Sequence, residues 1–263
     1  MANQFDEILF QTSDTDYTKR IQRLRSEHSM SEFLKSRGEF AETVRNIVAD
    51  VADRGDVAVA EYTQKFDKVK LTGSQFRIPA EELKAAHEQL QPELLESLRK
   101  SIANVRRYQS EIFIGSKNTH PGIRYTPLRR VALCIPGASA PLPSTVIMTA
   151  VPAQVAGVKD LVVLSPPRYE GSIHPVILGL CYELRITEVY RLGGAQAALA
   201  GDEATGTITH GFKILGPRHY VFQLVQKEVF GLVGMYSFAG PRDVVILGSA
   251  NVNPAWVAAD TVH

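Results

Sequence analysis

Cysteine and tryptophan are scarce: two of the first and one of the second in 263 residues. Cys134 and Cys181 are far apart in sequence, so no disulfide framework is expected and a reducing compartment, the cytoplasm, fits. Neither sign of charge dominates. There are 29 Lys and Arg against 28 Asp and Glu, a net charge of +1, with no basic stripe to mark a nucleic-acid surface. Long hydrophobic runs are missing too, and the longest apolar stretches fall short of a bilayer span, so no membrane partner is expected. The opening MANQFDEILFQTSDTD is polar and acidic and lacks the basic start and apolar core of a signal peptide. The seven histidines sit in no CxxC or HExxH setting, so spacing shows no zinc site. GxGxxG and GxSxG are absent, and no Ser/His/Asp set or carboxylate pair stands out.

What is present is ordinary in amount, 44% hydrophobic and 22% charged, and uneven in arrangement. Residues 1 to about 113 read as charged helices. GEFAETVRNIVADVADRGDVAVAEYTQKFD predicts two helices broken at Gly55, and PAEELKAAHEQL predicts another with Pro79 at its start. PELLESLRKSIANVRRYQSEIF carries Leu94, Leu95, Leu98, Ile102, Val105 and Ile112 at helical spacing, which is a packing stripe. Lys100, Arg106 and Arg107 then fall on a solvated face. Short extended pieces are expected in KVKLTGSQFRIP.

From Arg124 strand and helix patterns alternate. RYTPLRRVALCIPG, DLVVLSPP, ITEVYRLGG, GFKILGP, GLVGMYS and DVVILGS read as strands. Between them TVIMTAVPAQVAG, SIHPVILGLCYEL, AQAALAGDEA and HYVFQLVQKEVF read as helices. Ser144 is the expected cap of the first, Gly157 its close, and Pro152 a kink or split point. Such alternation predicts a parallel sheet with helices on both faces, and a ligand crevice beyond the carboxyl ends of its strands. Three of those ends are Gly/Pro turns. They offer either a phosphate or dinucleotide crevice or simply tight turns, and pattern alone leaves both open. Gln196, just after Gly193 and Gly194, is placed either to read a ribose or phosphate or to cap its own helix. Arg218 and His219 follow Gly216 and Pro217, either as an anion site or as a surface Arg beside a capping His. His174 is read as structural, Cys134 as a small buried residue, and His87 and His210 are given no role. The last segment has Asn253 as cap and Pro254 in its first turn, a short helix that needs docking to persist.

The blocks IPGASAPLPSTVIMTAVPAQVAGVKDLVVLSPP, VYRLGGAQAALA, ILGP and FAGPRDVVILGSANVNPAWVAAD, in this order, resemble the histidinol dehydrogenase family. The resemblance implies NAD- and zinc-dependent homodimers that oxidise L-histidinol to L-histidine in two steps. It implies a Rossmann-like domain over 131–242 and a helical-rich α/β domain made of 25–130 with 243–263, preceded by an arm over 1–24. The family's NAD contacts fall at Cys134, Gln196 and His219, where the family carries Tyr, Gln and Asn, so of the three only Gln196 is kept and NAD binding is expected to be weakened. Arg242 stands where the family has a substrate-contacting Ser, and Arg218 and Arg242 become candidates for an anionic ligand. The family's zinc ligands and its Glu-His proton-transfer pair follow the segment matching NPAWVAADTVH, so zinc is not expected in these residues. The resulting expectation is a short form without histidinol dehydrogenase activity, kept as a small-ligand-binding, regulatory or scaffold homodimer. The alternatives are an oxidoreductase completed by a partner chain and a different small-molecule enzyme on the same scaffold.

Overall fold

A computed structural model describes residues 12–27, 30–115, 122, 124–137, 140–200, 213–216, 224–225, 227–228 and 251–261. Two compact units emerge, Met1–Asn46 and Ile47–His263. The first holds α1 (Tyr17–Glu27) and most of α2 (Met30–Arg54). Everything below belongs to the second.

Gly55 ends α2 with φ 56 and ψ −132, a backbone that a side chain would resist, and α3 (Asp56–Asp67) starts at once. The expected break is therefore real. A one-turn helix α4 (Gly73–Phe76), which the sequence reading did not foresee, follows from a local device: the Thr72 N–H donates to Gln75 Oε1 at 2.9 Å. The chain then runs extended through Arg77 into α5 (Ala80–Glu88) and α6 (Pro92–Ile112). In α6 only Leu98 is fully buried, with Ile102 and Val105 packed on the core. Leu94 and Ile112 are exposed, so the apolar stripe is narrower than its spacing suggests.

The sheet is parallel, in the order β3-β2-β1-β4, with β1 Arg130–Cys134, β2 Asp160–Leu164, β3 Glu188–Tyr190 and β4 Ile214–Leu215. Both faces of the strands are covered. Val131, Leu133, Leu161, Val163 and Val189 point into one core, and Ala132, Val162, Leu164 and Tyr190 are buried on the other face. That explains why these strands read as continuous apolar runs. The 76–78 segment closes the β3 edge antiparallel: Ile78 N donates to the Val189 carbonyl and Arg191 N to the Phe76 carbonyl, both at 2.8 Å. This is the extended piece expected in KVKLTGSQFRIP.

The β1–β2 connection is α7 (Pro143–Val155), and the β2–β3 connection is α8 (Pro175–Glu183). For α7 the expected cap at Ser144 and the expected split at Pro152 fail. Pro143, not Ser144, opens the helix, since a proline at the first position loses no bond and fixes φ in advance. Pro152 neither splits the helix nor ends it. The carbonyl it deprives is that of Met148, an exposed residue, and the buried Val146, Ala150, Val151 and Ala153 hold the turns together. After β3 comes α9 (Gly194–Ala200). The strands expected in GLVGMYS and DVVILGS lie outside the described residues, and of HYVFQLVQKEVF only 224–225 and 227–228 are described, as helix. The last helix, α10 (Pro254–Thr261), is capped as expected: Ala255 N donates to Asn253 Oδ1 at 2.9 Å. No described helix is long and apolar enough to cross a membrane.

Candidate functional site

In this sheet β1, β2 and β3 advance in one direction and β4 returns to the other side of β1. The reversal opens a crevice beyond the carboxyl ends of β1 and β4, where ligands of open α/β sheets bind. Three chain ends lie side by side there. Ile135 N donates to the Leu164 carbonyl at 2.8 Å and Ser165 N to the Tyr190 carbonyl at 3.1 Å. So the turns after Cys134, Leu164 and Tyr190 form one surface.

That surface is shaped by close backbone approach. A Cβ on Gly193 would lie 2.5 Å from Pro166 Cβ, and one on Gly137 would lie 3.2 Å from Ser165 Oγ. Gly194 holds φ at 70, and a Cβ there would meet Gln196 Oε1 at 2.7 Å. The Leu-Gly-Gly turn is thus forced by contact and by conformation. Its result is the placement of Gln196, which is 1% exposed with neither Oε1 nor Nε2 hydrogen-bonded. Ser165 Oγ, equally buried, is also unpartnered. Leaving such groups without bonds costs about 1–3 kcal/mol each, so a native fold keeps them unpaired where something else completes them.

Supporting bonds fix the turns from behind. Arg191 ion-pairs with Glu82 and donates to Ser172 Oγ and to the Gln75 carbonyl, both at 3.1 Å. Arg168 Nε donates to Asp67 Oδ1 at 2.7 Å, tying the turn after β2 to the end of α3. His174 caps α8 by accepting from Val176 N at Nδ1, the structural role expected of it. A small cavity of about 110 Å³ lies among Gly137, Ser165, Arg168 and His174.

Of the residues proposed from sequence, Gly193, Gly194 and Gln196 stand together on one turn after β3, and Cys134 ends β1, with β2 between them. Cys134 is half-buried, not buried as its sequence suggested, and desolvation pushes its thiol up to about 12, so it is a neutral thiol at physiological pH. Arg218, His219 and Arg242 lie outside the described residues. Sequence reasoning passed over Ser165. The signal was there: a hydroxyl ending the apolar strand DLVVL, just before two prolines.

The model of the histidinol dehydrogenase family matches residues 31–263. The chain belongs to the histidinol dehydrogenase family. A histidinol dehydrogenase of Geobacillus kaustophilus is 40% identical over 248 residues, covering 92% of this chain and 58% of that protein. One from Synechococcus sp. is 42% identical over 224 residues, covering 83% of this chain and 52% of its own length. The crystal structure of histidinol dehydrogenase from Elizabethkingia anophelis superposes with a TM-score of 0.73 at 30% identity, over 83% of this chain and 52% of that one. The chain therefore spans about half the length of these histidinol dehydrogenases.

NAD, the cofactor that the family resemblance implies, can be tested against the turns. The unpaired Gln196 amide offers one acceptor and two donors, Ser165 offers a hydroxyl, and Gly137 and Gly193 allow a ligand to approach the backbone closely. These groups fit a ribose or a carboxamide. Gln196, Ser165 and the two glycines are neutral, so they bind and orient rather than move protons. Among the described residues no three His, Cys, Asp or Glu side chains gather to hold a metal.

Proposed function

We propose that this chain is the nucleotide-binding half of a histidinol dehydrogenase fold, and that these 263 residues bind NAD without oxidising histidinol by themselves. The buried, unpartnered amide of Gln196 on the glycine turn carries the reading. Gln196 and Ser165 supply hydrogen bonds, while Gly137 and Gly193 supply backbone clearance. NAD, when bound, supplies a hydride acceptor. The proton-transfer pair and zinc ligands implied by the family resemblance follow the segment matching NPAWVAADTVH. General acid–base help alone is worth about 10²–10⁴-fold, so residues 1–263 assayed on their own should bind without turning over. A partner chain supplying them would restore the reaction.

The test has two arms. Calorimetric titration with NAD should give saturable heat, and its absence overturns nucleotide binding. Incubation with L-histidinol, NAD and zinc should yield no NADH, and zinc-dependent NADH formation overturns the loss of turnover. We also propose a cytoplasmic homodimer. Light scattering at micromolar concentration should give twice 29.0 kDa, and a monomer refutes the dimer.

A further inference from the structure

A larger cavity, about 750 Å³, lies at the opposite end of the sheet, where β2 and β3 begin. It is of the size that takes a small metabolite. Its floor is apolar, built from Ile102, Val158, Leu184 and Ile186. Its rim is charged, and the balance of that charge is informative. Glu183 is engaged by Arg99 (2.8 Å) and His87 (2.6 Å), and Glu188 is engaged by Arg130 at 2.6 and 2.8 Å. Asp160 has, among the described residues, one ion pair, with the exposed Arg129 at 3.9 Å. Among the described residues three cations have no carboxylate partner. Arg106 bonds the neutral Gln154 Oε1 at 2.7 Å, and Lys159 and Arg185 make no ion pair among the described residues.

Helix ends do not account for these cations. Gly157 N and Val158 N donate to the Gln154 and Ala153 carbonyls, and Gln154 Nε2 donates to the Leu184 carbonyl at 2.8 Å. The closing carbonyls of α7 and α8 are thus already engaged. Arg185 is also strained. It holds φ at 58 in the turn that ends α8, where its N–H bonds the Tyr182 carbonyl and Ile186 N bonds the Cys181 carbonyl. Glycine closes such a turn without cost, whereas a side chain pays about 1 kcal/mol. A long cation is held there against local preference, at the mouth of a cavity with surplus positive charge.

We propose that this groove binds a phosphorylated small molecule of nucleotide size, with its phosphates on Arg106, Lys159 and Arg185 and its body on the apolar floor. The site is separate from the carboxyl-end crevice and does not depend on NAD binding there.

The probes are inorganic pyrophosphate and adenosine monophosphate, titrated calorimetrically into the whole chain. Saturable binding that weakens with added salt is expected for at least one. Lys159→Ala with Arg185→Gly should cut its affinity by about tenfold or more. Arg185→Gly alone should raise the melting temperature while weakening binding, two effects of opposite sign that a purely structural arginine would not produce. Gln196→Met, which tests the other site, should leave the groove's affinity unchanged. No heat from either probe, or affinity that survives in the double variant, overturns the proposal.

Discussion

The two ends of the sheet are built on opposite principles. At the amino end charge is paired, with only Arg130 Nε left over: Arg130 lies against Glu188, and Arg99 and His87 converge on Glu183 across three helices. At the carboxyl end buried polar groups are left open: both amide atoms of Gln196 and the hydroxyl of Ser165. Paired groups hold the layers together, and open ones await a ligand. The lesson is that the NAD crevice and the paired charges that hold the layers draw on different ends of the same strands.

The largest effect is expected from Glu188→Ala. It strands the buried Arg130 guanidinium, and loss of one member of such a pair costs about 3 kcal/mol, read as a lowered urea midpoint. Gly193→Ala should follow at about 1–3 kcal/mol, because its methyl group collides with Pro166, and it should abolish the heat of NAD binding as well. If Gly193→Ala proves as tolerated as a surface change, the crevice is looser than the geometry shows.

Acid should act on the amino end first. The Arg99 guanidinium, with help from His87, holds the Glu183 carboxyl below its ordinary 4.5, and Arg130 does the same for Glu188. Carboxyls depressed in the folded state stabilise it above their unfolded pKa, and that contribution is lost as pH falls through the folded values. The urea midpoint should therefore be level from about pH 7 to 5 and decline below about 4.5. A decline that persists unchanged in Arg99→Ala would show that other carboxylates govern it.

The smallest effect has the opposite sign. Gln196→Met keeps the shape and removes two unsatisfied polar atoms, so it should stabilise the chain by about 1 kcal/mol while weakening NAD binding. A loss of stability would mean that the amide is already satisfied.

The alternation of strands and helices from Arg124 onward was legible because parallel strands buried on both faces leave unbroken apolar runs such as LVVL. Gly55 and Asn253 were legible because turn and cap chemistry is local. Gly193, Gly194 and Gln196 stood out through the Leu-Gly-Gly turn and the family resemblance, although pattern left open whether Gln196 reads a ligand or caps its helix. Pro152 misled, since its cost depends on where the deprived carbonyl faces and on the packing around it. Ser165 went unnoticed because one hydroxyl after an apolar run has no meaning until Gly137 is placed beside it.

By itself, then, the sequence determined the elements, their order and the glycine turn, because propensity, capping and apolar period act within a few residues. Only the tertiary structure decided the strand order, the pairing of Arg130 with Glu188 and the isolation of the Gln196 amide. Each of these depends on which distant residues arrive alongside, and that is settled by burial across the whole sheet.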